Sequence, residues 1–108
     1  MKIDHGISEK SLAQIFDTLK KYPQIKQAIL YGSRAKGNFR PGSDIDLTLK
    51  GEVDHQTICR VSTDLDDSWI PYEVDVSAYD SLSNPDLIKE IDQHGVIFFE
   101  SKITPPVI

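Results

Sequence analysis

The chain has 108 residues, a formal net charge of -5, 39% hydrophobic residues, 27% charged residues and one cysteine. That length fits one domain, and the composition is that of an ordinary globular chain rather than a disordered one. The acidic balance excludes broad binding along a nucleic-acid backbone, which needs a basic face, though not a local basic pocket, and the lone Cys59 excludes an intramolecular disulfide.

The start, MKIDHG, has no apolar h-region, and no apolar run approaches the roughly 20 residues of a membrane span. The expectation is a soluble, cytoplasmic protein with no membrane partner, in keeping with the single thiol. Ser8 can cap a helix with Glu9 in its first turn, and Leu12, Ile15, Phe16 and Leu19 recur at helical spacing until Pro23. QAILYG, Gln27 to Gly32, reads as a short buried strand ended by glycine. A helical turn follows from Ser33 to Lys36, closed by Gly37. Asn38 to Ser43 is turn chemistry around Pro41 and Gly42.

DIDLTLK, Asp44 to Lys50, alternates strictly: Ile45, Leu47 and Leu49 point one way, Asp44, Asp46 and Thr48 the other. Asp54 can cap a second helix whose inner face is Ile58, Val61 and Leu65, with Cys59 as a partly buried thiol. Trp69 is expected to pack at the entrance to the next strand. YEVDVS, Tyr72 to Ser77, alternates again, with Glu73, Asp75 and Ser77 on its polar side. Asn84-Pro85 opens a third main helix with Leu87, Ile88 and Ile91 on its apolar face and Gly95 at its end. VIFF, Val96 to Phe99, is a last strand. The paired prolines of the tail predict loose order there. The expected architecture is α/β (α+β): one domain over 1–100 with a single mixed β-sheet and helices packed on it, and a loosely ordered tail over 101–108.

Strand periodicity puts Asp44 and Asp46 on one face, with Cβ atoms roughly 6.6 Å apart, two strand rises. Carboxylates at that spacing can converge on one hard cation or on a pair about 3.5–4 Å apart. If the strand of Asp75 is a neighbour, Asp75 completes a three-carboxylate set that favours Mg2+ or Mn2+ over zinc. His5, His55 and His94 show no metal spacing. Gly32 marks a sharp turn or a close backbone approach, and Ser33 at the start of a helical turn offers amides and a hydroxyl to an anion. Arg34 and Lys36 can add positive charge. Phosphates at Ser33 and metals at the aspartates together point to phosphoryl or nucleotidyl transfer.

The run GSRAKGNFRPGSDIDL, with ten residues between Gly32-Ser33 and Asp44-Ile45-Asp46, resembles the minimal nucleotidyltransferases, the MNT proteins, within the superfamily of DNA polymerase β. The resemblance covers nearly the whole chain and extends to Asp75 within EVDV. It implies the nucleotidyltransferase fold over 1–100, catalytic and metal-binding roles for Asp44, Asp46 and Asp75, and two Mg2+ ions with Mn2+ as a substitute. It also implies a nucleotide site at Gly32, Ser33, Arg34, Lys36 and Ser43, with ATP or another nucleoside triphosphate as substrate. MNT proteins commonly pair with a helical HEPN-domain protein, as antitoxin to its RNase toxin, and members of the group transfer AMP to a tyrosine of it. A HEPN toxin is therefore the expected partner, in a homodimer or hetero-oligomer, and larger relatives carry an acceptor-binding domain for which this chain has no room. Two other readings stay open: an antitoxin that neutralises by binding alone, and a transferase acting on a small molecule or an RNA end.

Overall fold

The computed structural model describes residues 6–40 and 42–101. The expected tail lies outside the described residues from position 102 onward, as do Pro41 and His5. The elements are α1 (Glu9–Lys20), β1 (Ile25–Tyr31), α2 (Ser33–Lys36), β2 (Ile45–Gly51), α3 (His55–Asp66), β3 (Val74–Ala78), a 3-10 turn (Tyr79–Ser81), α4 (Pro85–His94) and β4 (Val96–Glu100). The sheet order is β3-β2-β1-β4. β1 runs antiparallel to both β2 and β4, while β2 and β3 are parallel, so the sheet is mixed as expected. A parallel pair needs a crossover, and α3 provides it.

Each long helix starts where a side chain satisfies its first amides. The Ser8 hydroxyl accepts from Ser11 N–H, the Asp54 carboxylate from Thr57 N–H, and the Asn84 carbonyl from the N–H groups of Asp86 and Leu87. Apolar periodicity then decides which face each helix buries. Ile15 and Leu19 of α1 and Val61 and Leu65 of α3 pack with Ala28, Leu30, Ile45, Leu47, Leu49 and Val76 on one side of the sheet. Phe16 extends this layer against Phe98 and Phe99 of β4, at ring-centre distances of 5.2 and 6.0 Å. On the other side Ile91 of α4 packs against Ile29 and Tyr31, with Tyr79, Leu82 and Leu87 around them. The sheet is thus sandwiched, and α4 covers part of the face on which Asp46 stands.

Several expectations shift. β2 begins at Ile45, so Asp44 precedes the strand, and β3 begins at Val74 rather than Tyr72. Gly95 ends α4 with φ -67, an ordinary value, so no left-handed cap is formed. A glycine is needed there for space: a Cβ would run into the Ile91 carbonyl and Ile29 Cγ2. Cys59 is exposed, because the inward stripe of α3 is Thr57, Val61 and Leu65 and Cys59 lies between its turns. Trp69 is 90% exposed and does not pack at the strand entrance; Ile70 and Tyr72 pack against the core there instead. Its backbone N–H is held by Gln14 Oε1 at 3.0 Å. Among the described residues no helix is long and apolar enough to cross a membrane.

Leu47 is 0% exposed in a strand flanked on both sides. Leu47→Ala is expected to cost about 2–5 kcal/mol in urea unfolding, and Asn84→Ala, which removes only a cap, about 1 kcal/mol. Equal costs would contradict the layered core.

Candidate active site

Three chain segments meet at one corner of the sheet. β2 and β3 are parallel and in register, so Asp46 stands directly beside Asp75. β1 meets β2 from the other side with Tyr31 opposite Asp46. One row therefore runs Asp75, Asp46, Tyr31, with Gly32 the next residue of β1's chain. Gly32 has φ 78, and a Cβ on it would lie 2.5 Å from Asp46 Oδ2. Only glycine fits both the backbone angle and that close approach. The chain then turns into α2, whose first residue is Ser33. The first amides of any helical turn lack carbonyl partners within it.

Asp44 and Asp75 are exposed, and Asp46 is half-buried between them. Burial is the largest cause that pushes the Asp46 carboxyl above its ordinary 3.8, and the charges of Asp75 and Asp44 push it the same way. Burial likewise raises the Tyr31 hydroxyl, opposed by the Ser77 hydroxyl and reinforced by Asp46 and Asp75. Among the described residues no three His, Cys, Asp or Glu side chains stand together as a ready metal cage. The aspartates share a corner and feel one another's charge, and an ion held there would need further oxygens from outside the protein.

The other candidates divide. Ser33 lies at the corner, half-buried, beside Gly32. Arg34, expected to add positive charge at a phosphate, is 1% exposed, and its Nε and Nη2 donate to the Ser43 carbonyl at 3.1 and 2.8 Å. The Phe39 and Tyr72 rings hold the guanidinium inside, 5.0 and 4.7 Å from their centres. Lys36 is directed to α4, where its Nζ lies 2.6 Å from Glu90 Oε1. That bond holds the Glu90 carboxyl below its ordinary value. The Ser43 hydroxyl accepts from Arg40 N–H at 2.9 Å, closing the turn ahead of Asp44.

Reasoning from sequence missed four residues at this corner. Tyr31 ends a buried strand just before Gly32, two places after Ile29, and that spacing was the available signal. Thr48, on the aspartate side, is 0% exposed, and its hydroxyl accepts from Ser77 Oγ at 3.0 Å under the Asp46–Asp75 pair. Ser77 reads on the polar side with Asp75, but its pairing with Thr48 depends on strand order, and Glu90 carried no local signal, since its role depends on how α4 docks.

Residues 13–104 match the family model described as polymerase beta, nucleotidyltransferase. A stretch of 59 residues, 53% of this chain, is 39% identical to a protein of Methanocaldococcus jannaschii that carries the provisional name of a protein adenylyltransferase. The match spans 59% of that relative's length. Among solved structures the fold is similar to a chain of a toxin–antitoxin complex with AMP-PNP, with TM-score 0.68 and 20% identity over 84% of this chain and 74% of that one. It is also similar to a chain in the complex of tri-AMPylated Shewanella oneidensis HEPN toxin with MNT antitoxin, with TM-score 0.63 and 18% identity over 87% and 73% of the two chains. At such identities the structural likeness is one of fold.

Because the folded state raises the Asp46 carboxyl, folding takes up a proton there, and stability falls as pH rises from the unfolded carboxylate range through the raised value. Asp46→Asn removes the like-charge pair with Asp75, worth about 0.2–1 kcal/mol. The metal-free variant is expected to melt a few degrees above the parent near neutral pH, with the gap closing at about pH 4. A variant that melts lower at neutral pH would contradict the repulsion.

Proposed function

The chain belongs to the polymerase β family of nucleotidyltransferases, and on that premise we propose that it transfers a nucleoside monophosphate, AMP from ATP, to a hydroxyl group of a partner protein, acting as antitoxin to a HEPN toxin. The observation that carries the reading is the register of Asp46 beside Asp75, with the Asp46 carboxylate against Gly32. Carboxylates are brought together there at the mouth of a glycine-serine corner, the pairing that a metal-bound triphosphate requires. The protein partner is drawn from the name of the archaeal relative and from the toxin–antitoxin complexes that share the fold.

The donor set fits Mg2+ or Mn2+. Asp44, Asp46 and Asp75 offer carboxylate oxygens alone, which suits hard cations; burial first and then the charges of Asp75 and Asp44 raise the Asp46 carboxyl, and a divalent ion would relieve the repulsion among them. These three residues would hold two ions in company with phosphate oxygens, and the ions supply neutralisation of charge on the triphosphate and on the entering oxygen. Gly32, having no side chain, lets the Asp46 carboxylate lie against the backbone at the start of the Ser33 turn. Ser33, through its amide and hydroxyl, orients the β- and γ-phosphates. Asp75, exposed on the edge strand, is open to an incoming hydroxyl and draws on its proton as the oxygen attacks the α-phosphorus. The new O–P bond forms as the bond to pyrophosphate breaks. Lys36 would reach a phosphate by exchanging Glu90 for it, and Ser43 retains a hydroxyl proton to donate.

The test is label transfer from α-labelled ATP with magnesium to a co-purified HEPN partner. Asp46→Asn is expected to lower the labelling rate at least about a hundredfold, the scale of losing one charge-stabilising group, while the complex persists. Full labelling by Asp46→Asn would overturn the catalytic reading. A stable complex with no labelling by the parent chain would leave an antitoxin that acts by binding.

A further inference from the structure

Asp44 lies outside the regular strand, since β2 begins at Ile45. A carboxylate on a turn samples many positions, and a metal ligand has to be held in one. The structure shows what holds this one. On its C-terminal side, Ile45 N–H donates to the Glu73 carbonyl at 2.8 Å and joins β2 to the approach of β3. On its N-terminal side, the Ser43 carbonyl is gripped by both Nε and Nη2 of Arg34.

We infer that Arg34 is a positioning residue, which fixes Asp44 by clamping the Ser43 carbonyl, and so ties the Ser33 corner to the metal-binding carboxylates through one buried guanidinium. The role in catalysis rests on the functional reading above; the clamp itself does not. A charge that is 1% exposed is costly unless its donors are met. Here a carbonyl takes two of them, and two ring faces, Phe39 and Tyr72, enclose the cation. The enclosure is tight: a Cβ on Gly6 would strike the Phe39 ring and come within 3.0 Å of Arg34 Nη1. The Tyr72 hydroxyl donates to the Gly6 carbonyl at 3.4 Å. Arg34 follows Ser33 directly in α2, so any shift of the helical turn moves the serine and the clamp together. Lysine cannot take this place, because an ammonium lacks the planar fork and the flat faces that fit between two rings.

The experiment compares the parent chain, Arg34→Lys and a core control, Leu65→Ala, which loses packing beneath α3 and leaves Ser43, Phe39 and Tyr72 unaltered. Two readouts are taken: amide 15N order parameters at Ser43 and Asp44, and manganese binding followed by electron paramagnetic resonance with AMP-PNP present. In Arg34→Lys the Asp44 order parameter is expected to fall from about 0.85 to below about 0.6, and the manganese dissociation constant to rise about tenfold, while Leu65→Ala changes neither. An unchanged order parameter in folded Arg34→Lys overturns the clamp. A lower order parameter with unchanged manganese affinity, or equal losses in Leu65→Ala, overturns its role at the site. If the parent chain binds no manganese with AMP-PNP, the functional reading fails, and the order parameters still decide the clamp. Should Arg34→Lys not fold, Phe39→Leu removes one ring face, keeps the fork, and is expected to move both readouts the same way by a smaller amount.

Discussion

The Asp46 carboxylate lies against the α-carbon of Gly32, and the rest of the corner is arranged around that contact. It brings the end of β1 to the start of β2, so the turn at Ser33 opens beside a carboxylate. It is unfavourable taken alone: Asp46 is half-buried, loses solvent, and stands beside the like charge of Asp75. The sheet imposes it. Apolar side chains at Ile45, Leu47 and Leu49, packed under α1 and α3, fix the register that sets the aspartates side by side. Core packing on one face thus holds repelling charges in place on the other.

Much of this was legible along the chain because its causes are local. The caps at Ser8, Asp54 and Asn84 act within a few residues, and the structure starts its helices there. The turn from Ser33 to Lys36 between two glycines is as its sequence suggests. The alternation of DIDLTLK reported which side each residue faces. It could not report that Asp44 stops short of the strand, because that limit depends on where Glu73 offers a carbonyl to Ile45.

The parts that were not legible depend on segments distant in the chain. That Asp75 sits beside Asp46 follows from parallel pairing across α3, and a run of alternating residues does not encode its neighbour. Arg34 beside a glycine-serine corner reads as a phosphate ligand; its burial arises from Phe39 and from Tyr72, which arrives from the far side of α3. Lys36 is claimed by Glu90 only because α4 docks on the site face. Arg34 and Lys36 thus both hold structural partners.

The most direct test of a metal-nucleotide site at this corner is a thermal melt with and without millimolar magnesium and AMP-PNP, on the parent chain and on Gly32→Ala. A ligand that binds the folded state at a hundred times its dissociation constant adds about 2.7 kcal/mol, which moves the midpoint of a domain this size by several degrees or more. A rise of that order in the parent chain, lost in Gly32→Ala where the methyl group would strike Asp46 Oδ2 and displace the carboxylate, is the predicted result. No rise in the parent chain, or an equal rise in the variant, would contradict it.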